Sequence, residues 1–223
     1  MNEPLLAADS IDYTVKDRMI LRSVYVDAVP RRVTALVGRS GAGKTTLLWI
    51  LVGLRRPQGG QVRWAGKRIE RPRLATLARL GVAFGPDRPF LNPRLTTIDH
   101  LRMLDAWAEP NGPVGRRWFD RPTGSLSGGE QRLSELLVLL ACKPKVLVLD
   151  EPFRGLAPAT RDQIAEVLRF EAMKGVAVLY ADHDVEQVKN TADRLYSMES
   201  GMTRRVDGFR ERPLAEWYHA WPQ

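Results

Sequence analysis

Residues 38–45 read GRSGAGKT, and a short apolar run at 33–37 leads directly into them. An apolar strand, a glycine-rich turn and a helix in that order are typical of a phosphate-binding unit, and an ordinary strand–helix turn is the alternative. The glycines let successive backbone N–H groups converge on one point, and a helix beginning near Gly43 adds its positive N-terminal end. We therefore expect Lys44 to reach the β- and γ-phosphates of a nucleotide and the Thr45 hydroxyl to ligate Mg²⁺.

Size and composition fit a globular protein with a full hydrophobic core. The 223 residues suffice for one large domain or two small ones. Cys142 is the single cysteine, which excludes an internal disulfide framework and favours a reducing compartment. We expect neither a membrane span nor a signal peptide, because apolar segments such as 47–54 are far too short to cross a bilayer.

The formal net charge is +8 and comes mostly from arginine. A positive balance fits a polyanionic partner such as ATP, nucleic acid or anionic lipid headgroups. The basic residues are scattered instead of forming one block, so composition and solvation are the simpler explanation.

Hydrophobic periodicity alternates between strands and helices along most of the chain, which favours a parallel α/β sheet. The predicted strands are 10–15, 20–26, 33–37, 82–84, 146–150 and 176–180, with a small hairpin formed by 61–64 and 67–69. The predicted helices are 45–54, 74–80, 130–141, 159–174 and 185–193.

The segment from Pro86 to Gly129 differs in character from the chain on either side. It is rich in proline, and its one predicted helix covers 97–107. We interpret it as an insertion and predict a single domain, 1–223, made of a core (1–86 and 129–223) and a short helical subdomain (87–128). The apolar residues of the subdomain form either an interface or a small core, and we favour the core: Phe90, Leu91, Trp107, Trp118 and Phe119.

A second signal for chemistry is the apolar strand that ends in Asp150 and Glu151. An acid at the carboxyl end of a buried strand lies at the sheet edge where ligands bind. Asp150 could hold Mg²⁺, and Glu151 could face the water that attacks the γ-phosphate. The alternative for Glu151 is a cap on the following turn.

Two more segments are consistent with the same edge. The string LSGGEQ at 126–131 offers the Ser127 hydroxyl, two glycines and a helix N-terminus, although a serine-capped helix begins in the same way. His183 directly follows an apolar strand, as Asp150 does. A lone histidine is more often an ordinary surface or core residue, so its place after the strand is what favours a functional role.

GRSGAGKT, LSGGEQ, VLVLDEP and ADHD occur in this order, and together they resemble the ATP-binding cassette (ABC) family. They match its Walker A, signature, Walker B and switch-histidine motifs, and the resemblance runs from Tyr13 to about residue 200. DEPFRGL followed by ADHDV is similar to the branch that holds branched-chain amino-acid importers and the lipopolysaccharide-export ATPase. The resemblance implies an α/β P-loop NTPase ABC fold, with a RecA-like parallel-sheet core, an N-terminal antiparallel β subdomain and a short helical subdomain.

The resemblance also implies ATP and Mg²⁺ as cofactors and assigns roles to single residues. Tyr13 stands where an aromatic ring stacks on adenine, unless it is a strand core residue. Glu151 resembles the general base or water-orienting acid, His183 would contact the γ-phosphate, and Lys44 completes the catalytic set. The residues expected around the phosphates are Gly38, Arg39, Ser40, Gly41, Ala42, Gly43, Lys44, Thr45 and Thr46.

The metal and signature sets follow from the same resemblance. The metal residues would be Thr45 and Asp150, with Asp87 as a third candidate. The family usually has a glutamine after the strand that matches 82–84; Asp87 either takes its place or is a solvated loop residue. The signature would reach the γ-phosphate of ATP bound to a second subunit, so that two nucleotides lie between two cassettes. Its residues are Ser127, Gly128, Gly129 and Glu130.

A second departure from the family pattern lies in the loop that follows the Walker B motif. Where the family commonly has an aspartate, this chain has Ala157, which cannot make the usual polar link to the opposite phosphate loop. We therefore predict slower or less cooperative hydrolysis, with nucleotide binding intact.

The function implied is the ATP-hydrolysing subunit of an ABC transporter, peripheral at the cytoplasmic face of the cell membrane. Its expected partners are transmembrane permease subunits and a second cassette, in a homodimer or heterodimer, and we expect no direct nucleic-acid partner. The alternatives are a soluble cassette that acts as an ATP-gated binding module and a slow or regulatory cassette. The basic, aromatic C-terminal tail, 204–223, packs either on its own core or on a neighbour.

Overall fold

The structure, a computed structural model, describes residues 3–104 and 118–209. The strands are β1 (Leu6–Val15), β2 (Arg18–Ala28), β3 (Val33–Val37), β4 (Gly59–Trp64), β5 (Lys67–Arg68), β6 (Val82–Gly85), β7 (Val146–Asp150), β8 (Ala177–Asp182), β9 (Arg194–Glu199) and β10 (Met202–Val206). The helices are α1 (Lys44–Leu51), α2 (Leu74–Leu80), α3 (Thr97–Met103), α4 (Gly128–Ala141), α5 (Pro158–Met173) and α6 (Val185–Thr191).

The strands form two sheets. The first is antiparallel with the order β2-β1-β4-β5, and the second has the order β10-β9-β3-β8-β7-β6. In the second sheet β9, β3, β8, β7 and β6 are parallel, and only the pair β10–β9 is antiparallel. The predicted parallel core and N-terminal antiparallel subdomain are therefore confirmed.

The parallel sheet is covered on both faces, because its central strands are too apolar to face water. Residues of β3 alternate between the faces, with Leu36 in one apolar cluster and Val37 in the other. The first cluster includes residues of α1 and the antiparallel sheet, and the second includes residues of α5 and α6. Packing on both faces fixes the sheet, and with it the carboxyl ends of its strands.

The inserted segment docks on α4. Thr97 Oγ1 and Trp118 Nε1 both donate to Ser134 Oγ, at 2.9 and 3.0 Å. Leu91 is buried in a small cluster with Leu101 and Val138, as expected of a subdomain core. Phe119 is instead buried in the second cluster of the parallel sheet, and Phe90 is 38% exposed. Trp107 and the end of the predicted helix at 97–107 lie outside the described residues.

Sequence reasoning missed the hairpin formed by β9 and β10. Thr203 of β10 joins this hairpin to β2, because its hydroxyl accepts from the Tyr25 backbone N–H at 3.0 Å and donates to the Tyr25 carbonyl at 2.6 Å. The start of the predicted tail, 204–206, therefore belongs to the sheet, and the tail beyond 209 lies outside the described residues. Within the described ranges, no helix is long and apolar enough to span a membrane.

Candidate nucleotide site

The phosphate turn (residues 38–43) joins β3 to α1 in the predicted place. Gly41 and Gly43 have φ angles of 81° and 107°, in the left-handed region that favours glycine. A Cβ on Gly43 would also lie 2.9 Å from Leu21 Cδ2. Among the described residues, no side chain caps the N-terminus of α1, whose first N–H groups can therefore donate to an anion. The rest of the predicted phosphate set, residues 39, 40, 42, 45 and 46, lies in this turn and the first turn of α1.

Lys44 is buried within the phosphate turn. Its Nζ donates to the carbonyls of Gly38 at 2.5 Å and Arg39 at 3.1 Å. Burial lowers the pKa of Lys44, and the carboxylates of Glu151, Asp150 and Asp182 oppose that shift. The ammonium group therefore lies among carboxylates and main-chain carbonyls, where a phosphate could exchange for the carbonyls.

The carboxyl ends of the parallel strands bring the remaining predicted residues to the same edge. β7 ends at Asp150, β8 ends one residue before His183, and Asp87 lies two residues beyond the end of β6. His183 Nδ1 lies 3.8 Å from Glu151 Oε1. The motifs are far apart in the chain and become neighbours here because parallel strands expose their carboxyl ends on one side.

Asp150 has the donor chemistry of a metal ligand. Among the described residues neither of its carboxylate oxygens has a hydrogen bond of good geometry, although both are buried. Burial raises its pKa to about 6, the charges of Asp87 and Glu151 add to the shift, and the Thr45 hydroxyl and Lys44 oppose it. A buried carboxylate beside a threonine hydroxyl fits Mg²⁺, which takes few protein ligands and completes its shell with phosphate and water oxygens. In the described ranges, no group of three or more His, Cys, Asp or Glu side chains is arranged to hold a metal ion.

Asp182, at the end of β8, is a site residue that sequence reasoning missed. Its Oδ1 accepts from the backbone N–H groups of His183 at 2.7 Å and Asp184 at 3.0 Å, which fixes the turn that carries the histidine. Burial raises the pKa of Asp182. The sequence did contain a signal for Asp182, because it is an acid that ends an apolar strand, as Asp150 does in β7.

Two arginines at the site were also missed. Arg132 of α4 donates to the backbone carbonyls of Asp150 at 3.0 Å, Glu151 at 3.2 Å and Pro86 at 2.8 Å, so it ties the signature helix to two strand ends. Arg154 Nη1 lies 3.1 Å from Glu151 Oε2. The sequence could not indicate these contacts, because the partners of both arginines come from elements that meet only in the fold.

The signature segment (residues 126–130) begins α4. Ser127 Oγ accepts from the Glu130 backbone N–H at 3.3 Å, and Glu130 Oε2 accepts from the Ser127 backbone N–H at 2.9 Å. This is a capping box, the local role that the sequence left open. Ser127 and Gly128 are exposed, and Gly129 lies beside Thr160.

The remaining predicted residues lie on nearby elements. Tyr13 of β1 is partly buried and packs against the first apolar cluster, so it contributes to that cluster whether or not it also stacks on adenine. Ala157 is the N-cap residue of α5 and gives the helix no side-chain cap.

Sequence comparisons identify the family of this chain. The model of the ABC transporter family matches residues 21–154. This chain belongs to the ABC transporter family. Its relatives include the lipopolysaccharide export system ATP-binding protein LptB of Acidithiobacillus ferridurans, 31% identical over 88% of this chain and 87% of the relative. The high-affinity branched-chain amino acid transport ATP-binding protein BraG of Pseudomonas aeruginosa is 29% identical over 88% of this chain and 90% of the relative.

Solved structures agree on the fold. A nucleotide-free ATP-binding cassette from an ABC transporter has a TM-score of 0.80 at 24% identity, with 95% of both chains covered. An ABC transporter cassette in its ADP conformation has a TM-score of 0.82 at 23% identity, with 98% of this chain and 99% of the other covered. These structures confirm the predicted fold. The family match and the relatives named as ATP-binding proteins confirm the predicted family and enzyme class, an ABC ATPase.

Proposed function

We propose that this ABC ATPase powers a membrane transporter by closing with a second cassette around ATP and reopening after hydrolysis. The observation that carries this proposal is the meeting of Lys44, Asp150, Glu151 and His183 at one sheet edge, beside a helix N-terminus. Phosphoryl transfer depends mainly on positioning and charge neutralisation, and these residues offer both.

The proposed roles follow from the contacts. The phosphate turn and the N-terminus of α1 bind the β- and γ-phosphates, and Lys44 leaves the carbonyls of Gly38 and Arg39 to contact them. Glu151 orients a water molecule and accepts its proton, and His183 holds that water in line. Tyr13 stacks on adenine.

Thr45 and Asp150, with Asp87 in support, would hold Mg²⁺. The chemistry that a bound Mg²⁺ would supply at these residues is positive charge against the phosphates. The orphaned carboxylate oxygens of Asp150 are the feature of this chain that supports the assignment.

The partners are a second cassette and separate permease subunits, which hold the chain at the cytoplasmic face of the membrane. The exposed signature segment reaches the nucleotide of the opposite cassette. The helical subdomain, 87–128, is the docking surface for the permease, and Met103 at the end of α3 is 75% exposed. If the chain fractionated as a soluble protein when co-expressed with the permease genes beside its own, the membrane assignment would be wrong.

The test of the site is Lys44→Ala in the full chain, compared with Lys67→Ala on the exposed hairpin. Phosphate release and binding of a fluorescent ATP analogue are measured with Mg²⁺ present. We expect Lys44→Ala to weaken binding of the analogue. We also expect it to lower kcat/KM for ATP at least about 100-fold, since it removes charge stabilisation of the transition state. Equal activity of the two variants would disprove the assigned site.

A further inference from the structure

Arg154 contacts two acidic residues that come from different strands. Its Nη1 lies 3.1 Å from Glu151 Oε2, in the turn that follows β7. The same nitrogen lies 3.9 Å from Asp87 Oδ2, in the loop that follows β6. Since β6 and β7 are neighbours in the sheet, this guanidinium group bridges two adjacent strand ends.

The surrounding charges explain why a cation is useful at this place. Asp150 and Asp182 are buried beside Glu151, and Lys44 opposes these three carboxylates from the phosphate turn. Asp87 adds a fourth carboxylate near Asp150. A triphosphate that enters this edge meets that negative charge, and each unopposed carboxylate weakens its binding.

The family usually has a glutamine, which carries a neutral amide, at the place that Asp87 would take in this chain. Placing a carboxylate there adds one negative charge, and Arg154 adds one positive charge within reach of it. The pair thus restores the net charge that an amide alone would give. The sequence does not reveal the pairing, because the two residues are 67 positions apart and meet only through the sheet.

Arg154 also determines which oxygen of Glu151 is available. Arg154 holds Oε2, while Oε1 faces His183 Nδ1 at 3.8 Å. Glu151 is only 18% exposed, so its side chain has little freedom to turn elsewhere. A carboxylate held by one oxygen presents the other in a fixed direction.

We propose that Arg154 is a positioning residue of the ATPase: it neutralises Asp87 for nucleotide binding and orients Glu151 toward His183. This inference rests on the proposed ATP site. It assigns two effects to one guanidinium group, one on nucleotide affinity through Asp87 and one on turnover through Glu151, and these effects can be separated.

The experiment is a double-mutant cycle in the full chain with Arg154→Ala, Asp87→Asn and the double variant. The dissociation constant of a fluorescent ATP analogue with Mg²⁺ and the kcat for ATP are measured at fixed ionic strength. We expect Arg154→Ala to weaken binding about 5-fold, the upper range for a half-exposed ion pair, and to lower kcat about 10-fold. In the Asp87→Asn background the loss of Arg154 should leave binding within about 2-fold while kcat stays low.

Two further variants make the outcome decisive. Arg154→Lys keeps the charge and should restore binding to within about 2-fold of the parent. Arg68→Ala removes an arginine of similar exposure, paired with Glu70 on the antiparallel sheet, and should change neither quantity. Unaltered binding and kcat in Arg154→Ala, a rise in kcat, or a binding defect that Asp87→Asn does not relieve would each overturn the proposal.

Failure of this inference differs from failure of the ATP site itself. If Lys44→Ala binds the analogue as tightly as the parent, the assigned site is wrong and the Arg154 proposal falls with it. If Lys44→Ala abolishes binding and Arg154→Ala matches the parent in both quantities, only the role of Arg154 is disproved.

Discussion

Glu151 adopts a backbone conformation that residues other than glycine rarely adopt, with φ of 46°. Its backbone N–H donates to the Ala181 carbonyl at 2.9 Å, which ties the strained turn to β8. Strain of this kind persists where the surrounding structure over-determines it, and such places are frequently active sites. The conformation sends the side chain toward His183 at the sheet edge.

At this residue we predict that Glu151→Gln lowers ATP hydrolysis by about 100- to 1,000-fold, because an amide cannot accept the proton of the attacking water. Nucleotide affinity should remain, and the ATP-bound variant should accumulate as a dimer. Phosphate release and size-exclusion chromatography measure the two effects. Glu186→Gln, on the exposed side of α6, is the matched control, and equal loss of activity there would contradict the assignment.

Asp150 provides a prediction about pH and stability. Burial raises its pKa from 3.8 to about 6, so the folded protein favours the protonated acid. Its ionised form therefore costs stability, in full above about pH 6, and the cost disappears as the pH falls toward the unfolded value. We expect Asp150→Asn, without nucleotide or divalent ions, to raise the free energy of unfolding at pH 7.5 by roughly 2–3 kcal/mol.

Urea denaturation at pH 7.5 and pH 4 tests this expectation. The gain should shrink strongly at pH 4, where the parent carboxyl is protonated. Asp162→Asn removes an exposed carboxylate of α5 and should have little effect at either pH. A gain of equal size at both pH values would show that charge burial is not its cause.

At the scale of the elements, the sequence predicted the type of most segments and missed their ends. β3, α2 and β7 have the predicted bounds, because a proline or glycine lies within three residues of both ends of each run. α1 begins at Lys44 and ends at Leu51, three residues before the predicted end, because the turn around Gly53 had been included. β9 and β10 were missed because strands that join two sheets carry polar residues and lack a clean alternation.

Some residues of the site could be predicted from the sequence and others could not. Residues within motifs, such as Lys44 and Asp150, could be predicted because the chemistry requires them at a fixed place relative to a strand end. Arg132 and Arg154 could not, because their partners are set by how α4 and the turn after β7 meet other strands.

The N-terminus of α5 carries the next prediction. Ala157 is its N-cap residue without a side-chain cap, and Pro158 follows at the first helical position. Ala157→Asp should stabilise the fold by about 1 kcal/mol, since aspartate accepts hydrogen bonds from the free N–H groups. From the resemblance we also expect a higher steady-state turnover, and a drop or no change would argue against that link.

Ala157→Asn separates the two effects, because asparagine caps a helix about as well without a charge. The midpoint temperature of thermal unfolding should rise by a few degrees in both variants, as expected for about 1 kcal/mol in a domain of this size. If only the aspartate variant gains turnover, the charge is responsible and helix stability is not.

At the scale of the whole molecule, a buried ionic cluster joins the two sheets. Asp27 of β2 is 4% exposed and accepts from Arg194 Nη2 at 3.1 Å and from Tyr196 Oη at 3.1 Å, both on β9. Arg194→Ala would leave the carboxylate buried without its countercharge, which should cost about 3–5 kcal/mol. Urea denaturation measures this loss against Arg205→Ala, whose pair with Asp207 is exposed. A loss of under about 1 kcal/mol would mean that the cluster does not hold the sheets together.

Completion of the site by a second copy is the remaining prediction. The signature segment is exposed in one chain, so a site assembled from two copies needs the phosphate turn of one and Ser127 of the other. Lys44→Ala destroys the first half and Ser127→Arg blocks the second, so each variant alone should be inactive. In a mixed dimer one site carries both lesions and the other carries neither. An equal mixture should therefore regain roughly a quarter of the parent activity, since half of the dimers are mixed and half of their sites are intact. Circular dichroism first establishes that both variants fold, and a mixture no more active than its separate components would exclude a homodimer with shared sites.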